Sequence, residues 1–153
     1  MLCTLSIYLV FDKENASCYT SFRTDKNNKG PLSALIGSGK ENDRQRLAEL
    51  LTPFVIIDEE TKDFTFKDSF RQIDNNSLKI ELVLAAAKAR SLYFNEQDGL
   101  TAQEIILLSI MPEGSVKTSL RKLFSTEHKI KQKDKRYFLP SYRIEEIKNN
   151  LNK

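Results

Sequence analysis

The stretch that most constrains the fold is NSLKIELVLAAAKARSLYF, which occupies residues 76–94. Its apolar residues recur near helical spacing, and Ser77 with Glu81 is typical of a helix start. The apolar positions are Leu78, Leu82, Ala85, Ala86, Ala89 and Tyr93. Because these positions cover a wide arc, we predict a central, well-buried helix that the sequence QDG at residues 97–99 ends.

Two more helices are predicted directly after it. Thr101 and Glu104 have the spacing of a capping box at the start of TAQEIILLSIM, and the turn PEG at residues 112–114 stops that helix. Ser115 is then the expected N-cap of a helix over residues 115–125. The positions of this helix that we expect to face inward are Val116, Leu120, Leu123 and Phe124. Two helices joined by a short turn with glycine indicate a helix-turn-helix unit.

A short hairpin is predicted after the third helix. The segments IKQ at residues 130–132 and RYFL at residues 136–139 flank the polar sequence KDK at residues 133–135. We expect these segments to form two antiparallel strands with a basic tip.

Three helices followed by a two-stranded ribbon, over residues 76–140, resemble a winged helix-turn-helix domain. The resemblance implies an α+β fold, in which the 115–125 helix enters the major groove of double-stranded DNA. It also implies that the wing at residues 130–139 contacts the flanking backbone, and that the protein acts as a transcriptional regulator. Winged helices also serve as protein-interaction modules, so the fold alone does not decide the function.

The chain before residue 74 is expected to contribute two further parts. Residues 1–30 are predicted to form an N-terminal β-hairpin appendage, with strands at residues 4–11 and 16–23. Residues 31–73 are predicted to form a smaller helix–helix–hairpin module, in which helix 42–51 precedes strands at residues 54–57 and 64–66. That module has half of a winged-helix pattern, and a second, degenerate winged helix is one interpretation of it. The winged domain and a C-terminal helix then occupy residues 74–153.

Positive charge is concentrated in one region. Residues 115–136 hold six Lys and two Arg against Glu127 and Asp134, a net charge of plus six, whereas the whole chain carries plus three and the remainder therefore minus three. DNA binding draws on such cations when they share one surface, although a solvated helix face would also carry lysines. The predicted DNA-binding residues are Ser115, Lys117, Thr118, Arg121, Lys122, Lys131, Lys133, Lys135 and Arg136.

Nothing in the sequence indicates an enzyme, a cofactor or a metal site. His128 is the only histidine, and Cys3 and Cys18 are the only cysteines, so neither a catalytic triad nor a zinc site can be assembled. The two cysteines have the character of reduced, structural residues, and no apolar run is long enough for a bilayer. We therefore expect a cytoplasmic protein with no membrane association.

Two functional hypotheses remain open on the sequence. The first is a DNA-binding regulator, with a homodimer through the C-terminal helix as one arrangement, since the apolar edge of that helix would pack on the core or on a second subunit. The second is a tandem winged-helix adaptor whose two modules, residues 32–70 and 76–140, bind protein within a larger assembly. The acidic hairpin at residues 58–63 would repel phosphate and is a candidate contact for a partner protein.

Overall fold

The computed structural model describes residues 39–151, which all belong to one compact unit of mixed α+β structure. The predicted N-terminal hairpin and the first of the two helices predicted within residues 31–73 lie outside these residues. The helices are α1 (Gly39–Leu51), α2 (Asp68–Arg71), α3 (Asn76–Phe94), α4 (Ala102–Leu107), α5 (Glu113–Arg121) and α6 (Ser141–Leu151). The strands are β1 (Val55–Ile57), β2 (Phe64–Phe66), β3 (Leu100–Thr101), β4 (Lys131–Lys133) and β5 (Arg136–Phe138).

Helix α3 is the centre of the described fold, as its composition predicts. Every residue from Ile80 to Ala87 is buried, so more than two full turns have no solvent-facing side. The helix has the predicted bounds, but its caps differ from those expected. Asn75, not Ser77, is the N-cap, and its side chain accepts the backbone N–H groups of Ser77 and of Leu78. Asn95 caps the other end in the left-handed conformation, before the QDG sequence is reached.

Helix α1 packs on α3 and α6, so one core extends across the boundary predicted between residues 73 and 74. Its buried positions Leu47, Leu50 and Leu51 are the apolar ones of the predicted helix. The helix begins at Gly39, three residues before the predicted start at residue 42. Asp43 instead lies inside the helix, where it is buried and accepts a hydrogen bond from the Ser141 hydroxyl of α6.

The C-terminal helix α6 is held by the core of its own chain. Ile144 and Ile147 are fully buried, and the Arg143 guanidinium donates to the Glu81 carboxylate of α3 at 2.6 Å in a buried ion pair. The apolar edge of this helix was predicted to pack either on the core or on a second subunit, and in the structure it packs on the core. Tyr142 is the one member of that edge that stays exposed.

Residues 76–138 have the element order helix, strand, helix, helix, strand, strand. Its three strands form an antiparallel sheet in the order β3, β5, β4, with Gln132 opposite Tyr137 and Leu100 opposite Tyr137 on the other side. Gly99 allows the close approach of β3 to β5, because its φ is +83° and a Cβ there would lie 2.5 Å from the carbonyl oxygen of Tyr137. The hairpin β1–β2 forms a separate two-stranded sheet.

The connection between α4 and α5 is longer than predicted. The capping box of Thr101 and Glu104 is confirmed, but α4 ends at Leu107 and Ser109 then takes a positive φ of 52°. Five residues therefore join the two helices, rather than the three-residue turn PEG. Helix α5 begins at Glu113, and Ser115 is not its N-cap, since the Pro112 carbonyl already accepts the backbone N–H groups of Ser115 and Val116.

The inward stripe of α5 is confirmed at three of its four positions. Val116, Leu120 and Leu123 are buried together with Ile105 and α3 residues, whereas Phe124 is 38% exposed. The helix widens into a π-type turn over Lys122–Thr126, closed by the bond from the Glu127 N–H to the Lys122 carbonyl. The wider turn rotates Phe124 off the stripe, and its ring makes an edge contact with the half-buried Tyr137 of β5 instead.

Candidate nucleic-acid interface

One face of α5 and its π-type turn presents polar and basic side chains to solvent. Because Val116, Leu120 and Leu123 take the inner face, the residues between them are directed outward. The exposed positions are Lys117, Thr118, Arg121, Lys122 and Ser125. They are spaced i, i+1, i+4, i+5 and i+8, so the predicted basic residues of this helix share one continuous stripe.

Two of the lysines on this stripe have acidic neighbours. The Lys117 ammonium donates to the Glu113 carboxylate one turn earlier, and this bond lowers the pKa of Glu113. The Lys122 ammonium lies 3.4 Å from Glu127, whose pKa is lowered chiefly by its bond to Lys129. Both lysine side chains are more than half exposed, so these are surface pairs that water and salt screen readily.

Arg121 differs from its neighbours because it has no ion-pair partner among the described residues. It is exposed at the last position of α5, one turn beyond Lys117. The Thr118 hydroxyl donates to the Gly114 carbonyl at 2.8 Å, and Ser115 is half-buried in the first turn. Arg121 is therefore the predicted residue on this helix whose donors are most available to a ligand.

The hairpin that was predicted to be the wing is present as β4–β5. All three side chains of β4 are exposed, and Lys131 and Lys133 are two residues apart, so they point to the same face of the strand. Lys135 follows in the turn and is also exposed. Within the part of the chain that the structure describes, none of these three lysines has an acidic partner at ion-pair distance.

The wing tip holds lysine in an unfavourable backbone conformation. Asp134 and Lys135 are the two central residues of the turn, and their φ angles are +51° and +62°. A two-residue hairpin turn with both φ values positive is of type I′, which strongly favours Asn-Gly or Asp-Gly. Aspartate tolerates this region, but lysine at the second position takes a conformation that glycine would adopt without cost.

Arg136 has a different environment from the other wing cations. It is largely buried, with 23% of its side chain exposed, and its guanidinium donates to the Glu104 carboxylate at 3.1 Å. The same carboxylate accepts the Thr101 N–H at 2.6 Å in the capping box of α4. Burial opposes ionisation of Glu104, but these bonds outweigh it and lower the pKa of the carboxyl group. Arg136 thus joins β5 to α4 and does not project from the tip with Lys133 and Lys135.

The sequence interpretation missed two charged groups near the wing. Lys129 is half-buried and bonded to Glu127, and its only sequence signal was the charge it adds to the basic segment. Asp98 lines a hollow beside the wing with Lys133, Asp134 and Arg136. One of its carboxylate oxygens is buried and has no hydrogen-bond partner in the described part of the chain, and burial raises the pKa of Asp98. No sequence pattern would single out either residue, because their burial depends on the packed sheet.

The acidic turn between β1 and β2 is organised by one of its own carboxylates. Asp58 accepts the backbone N–H groups of Glu60 and Thr61 at 2.9 and 2.8 Å, and the bond from Thr61 is the main cause of its lowered pKa. Glu59 and Glu60 are exposed beside it. In the predicted 58–63 hairpin, Glu59 and Glu60 therefore present negative charge to solvent, while Asp58 holds the shape of the turn.

Within residues 39–151, no group of three or more His, Cys, Asp or Glu side chains is placed to hold a metal ion. No helix in the same part of the chain is long and apolar enough to cross a membrane. Comparisons of the chain with protein-family models, with curated proteins and with solved structures find no match.

Proposed function

We propose that residues 76–140 form a winged helix-turn-helix domain that binds double-stranded DNA. The element order from α3 to β5 and the sheet order β3, β5, β4 support this assignment. In this proposal α5 is the helix that enters the major groove, and β4 with β5 is the wing. The role that fits such a domain is that of a cytoplasmic transcriptional regulator.

The observation that carries the proposal is the wing. Three lysines that have no acidic partner among residues 39–151 project from β4 and its turn, and one of them is kept in a conformation that costs stability. A hairpin requires neither feature for its own folding, because an uncharged Asn-Gly tip would be more stable. A row of exposed cations on a rigid ribbon is, however, well suited to the phosphates of a DNA backbone.

The residues of the interface divide into two roles in this proposal. Lys117 and Arg121 lie nearest the base edges, and Arg121 has the fork of donors that pairs with guanine. Lys131, Lys133 and Lys135 contact phosphates of the flanking backbone, and Lys122 with the hydroxyls of Ser115 and Thr118 adds contacts along the groove. Arg136 contributes indirectly, without contacting DNA, because its bond to Glu104 fixes the position of β5.

A variant that neutralises the wing tests the proposal. Replacing Lys131, Lys133 and Lys135 together by Ala should weaken binding to a random-sequence duplex at low salt strongly and equally for all sequences. The matched control replaces Arg46, Arg71 and Lys79 by Ala, which removes the same charge outside residues 115–136. Equal losses in the two triple variants, measured by fluorescence anisotropy, would mean that only net charge matters and that the wing is not the contact.

The homodimer expected with such a regulator cannot use the buried edge of α6. Ile144 and Ile147 belong to the core, so this helix offers a second subunit only its outer face around Tyr142. The competing function, a protein-binding adaptor, predicts that a partner is retained when the wing is neutralised and that affinity for DNA is low at every salt concentration.

A further inference from the structure

A hollow of about 590 Å³, which we call the β2 hollow, is lined by β2, by α2, by the first turns of α3 and by the connection between α4 and α5. Its volume is within the range of small-molecule sites. Phe64 and Phe66 come from β2, and Leu108 and Ile110 come from the connection. All four side chains are half-buried, so each keeps some apolar surface that the core does not cover.

The aromatic part of this lining is held in place by the core. The ring of Phe66 stacks on that of Phe70, with 4.5 Å between the ring centroids and 29° between the ring planes. Phe70 is itself 2% exposed and belongs to the core. The Arg90 guanidinium lies 4.7 Å from the centroid of Phe64, which is tilted by 47° to Phe66. Phe66 is therefore a half-buried ring with a fixed plane, against which the ring of a ligand can stack.

The charged side chains that line the β2 hollow are both basic, and no Asp or Glu of residues 39–151 lines it. Arg71 is one of them, and its side chain is 75% exposed. Its guanidinium lies 3.9 Å from the carboxylate of Asp68, which is 91% exposed, so water and salt screen this pair readily. The other is Lys79, whose ammonium donates to the Arg71 carbonyl at 3.4 Å. The two cations are thus neighbours at a hollow that also has aromatic and aliphatic walls.

We propose that the β2 hollow binds a small planar aromatic anion, in which a ring carries a carboxylate or a phosphate group. The ring stacks on Phe66 and packs against Leu108 and Ile110. The anionic group lies beside Arg71 and Lys79. A cationic ligand would be repelled by two like charges, and an inorganic anion would leave the apolar walls uncovered.

This inference is independent of DNA binding, because the residues that line the β2 hollow lie between positions 64 and 110 and none belongs to residues 115–136. Either proposal can therefore fail its test while the other passes. The sequence does not reveal the site, because Asp63 and Asp68 are the charged residues that flank the β2 rings most closely on the acidic side. The fold brings in Lys79 from α3.

The first test titrates the full chain with 1-naphthoate and with 1-naphthyl phosphate and follows the backbone amides by nuclear magnetic resonance. We expect saturable shifts at the amides of Thr65, Phe66 and Ser109, with a dissociation constant of about 1 mM or below. The uncharged probe 1-naphthalenemethanol has the same ring system and should bind at least about fivefold more weakly. The tighter of the two anions decides between a carboxylate and a phosphate ligand.

Variants of the lining complete the test. Arg71→Ala combined with Lys79→Ala should weaken naphthoate binding at least about fivefold. The matched control combines Arg46→Ala with Lys135→Ala, which removes the same charge outside the hollow and should bind naphthoate like the parent protein. Phe66→Leu keeps an apolar side chain but removes the stacking ring, so it should also weaken binding. Circular dichroism confirms that each variant is folded.

Four outcomes would overturn the proposal. The first is that neither anion gives saturable shifts at the three amides when it is present at about ten times the expected dissociation constant. The second is that the two double variants bind naphthoate equally. The third is that 1-naphthalenemethanol binds as tightly as naphthoate, which would mean an apolar hollow without anion recognition. The fourth is displacement of bound naphthoate by a random-sequence duplex, which would assign the hollow to the DNA interface.

Discussion

Replacing Lys135 by glycine should make the protein more stable and a weaker DNA binder at the same time. The residue occupies the second central position of the wing turn at a φ of +62°. An L-residue in this conformation costs about 1–2 kcal/mol, and glycine takes it without that cost. Glycine also loses about 0.5–1 kcal/mol through its greater freedom in the unfolded chain. At the middle of these two ranges, the net gain in the free energy of unfolding should be about 0.75 kcal/mol.

Lys135→Ala is the matched control, because it removes the same charge and keeps the same backbone conformation. Its free energy of unfolding should stay within about 0.5 kcal/mol of the parent protein. Urea unfolding followed by circular dichroism measures the difference between the two variants. Both variants should lose the same DNA affinity, and the salt dependence of binding should fall by about one unit in each.

The two readouts can each refute the reasoning separately. A glycine variant no more stable than the alanine variant would show that the wing turn does not have the positive φ values on which the argument rests. DNA affinity unchanged in both variants would show that Lys135 contacts no phosphate. Affinity lost only in the glycine variant would assign the effect to the shape of the tip rather than its charge.

Four further predictions concern the core, the sheet, the helix cap and the base contacts. Leu120→Ala removes a buried side chain between α5 and α3 and should lower the free energy of unfolding, measured by urea unfolding, by about 2–4 kcal/mol. A loss below about 1 kcal/mol would contradict the inward position of the residue. Gly99→Ala places a Cβ against the Tyr137 carbonyl at a positive φ and should lower the free energy of unfolding by about 2–4 kcal/mol in the same assay. Gly114→Ala is the control and should be tolerated, because a Cβ at that position meets no other atom. Because the pKa of Glu104 is lowered in the folded protein, its ionised form adds stability at neutral pH, and this stability is lost as the pH falls through the folded-state pKa. Glu104→Gln should therefore be less stable than the parent protein at pH 7, and the difference should shrink in acid. A pH-independent difference would argue against the bond to Arg136. Arg121→Ala should reduce discrimination between a selected site and random DNA by about 1–3 kcal/mol, and Arg71→Ala, the control, should leave it unchanged.

The parts of the fold that sequence could predict are those fixed by local spacing. The bounds of α3 follow from its apolar arc, and the capping box follows from Thr101 and Glu104 three residues apart. The buried stripe of α5 and the strands of the wing follow from periodicity in the same way. These patterns need no knowledge of the partner element, because each one is visible within a few turns or a single hairpin.

The features that sequence could not predict depend on contacts between distant residues. The bond between Arg136 and Glu104 joins residues 32 positions apart and removes one cation from the predicted tip. The packing of α1 on α3 and α6 crosses the boundary predicted at residue 74. Ser115 is a favourable N-cap residue, but the chain enters α5 two residues earlier. The π-type turn that exposes Phe124 also has no local sequence signal.

The most direct test of the account is the salt dependence of binding to a random-sequence duplex. Six basic side chains are proposed to contact DNA, so the logarithm of the binding constant should fall linearly with the logarithm of salt concentration, with a slope no steeper than about −5. Between about 50 and 200 mM salt the affinity should therefore fall by up to about a thousandfold. Binding that is undetectable at the lower concentration, or a slope near zero, would contradict the proposed DNA interface and favour the protein-binding adaptor.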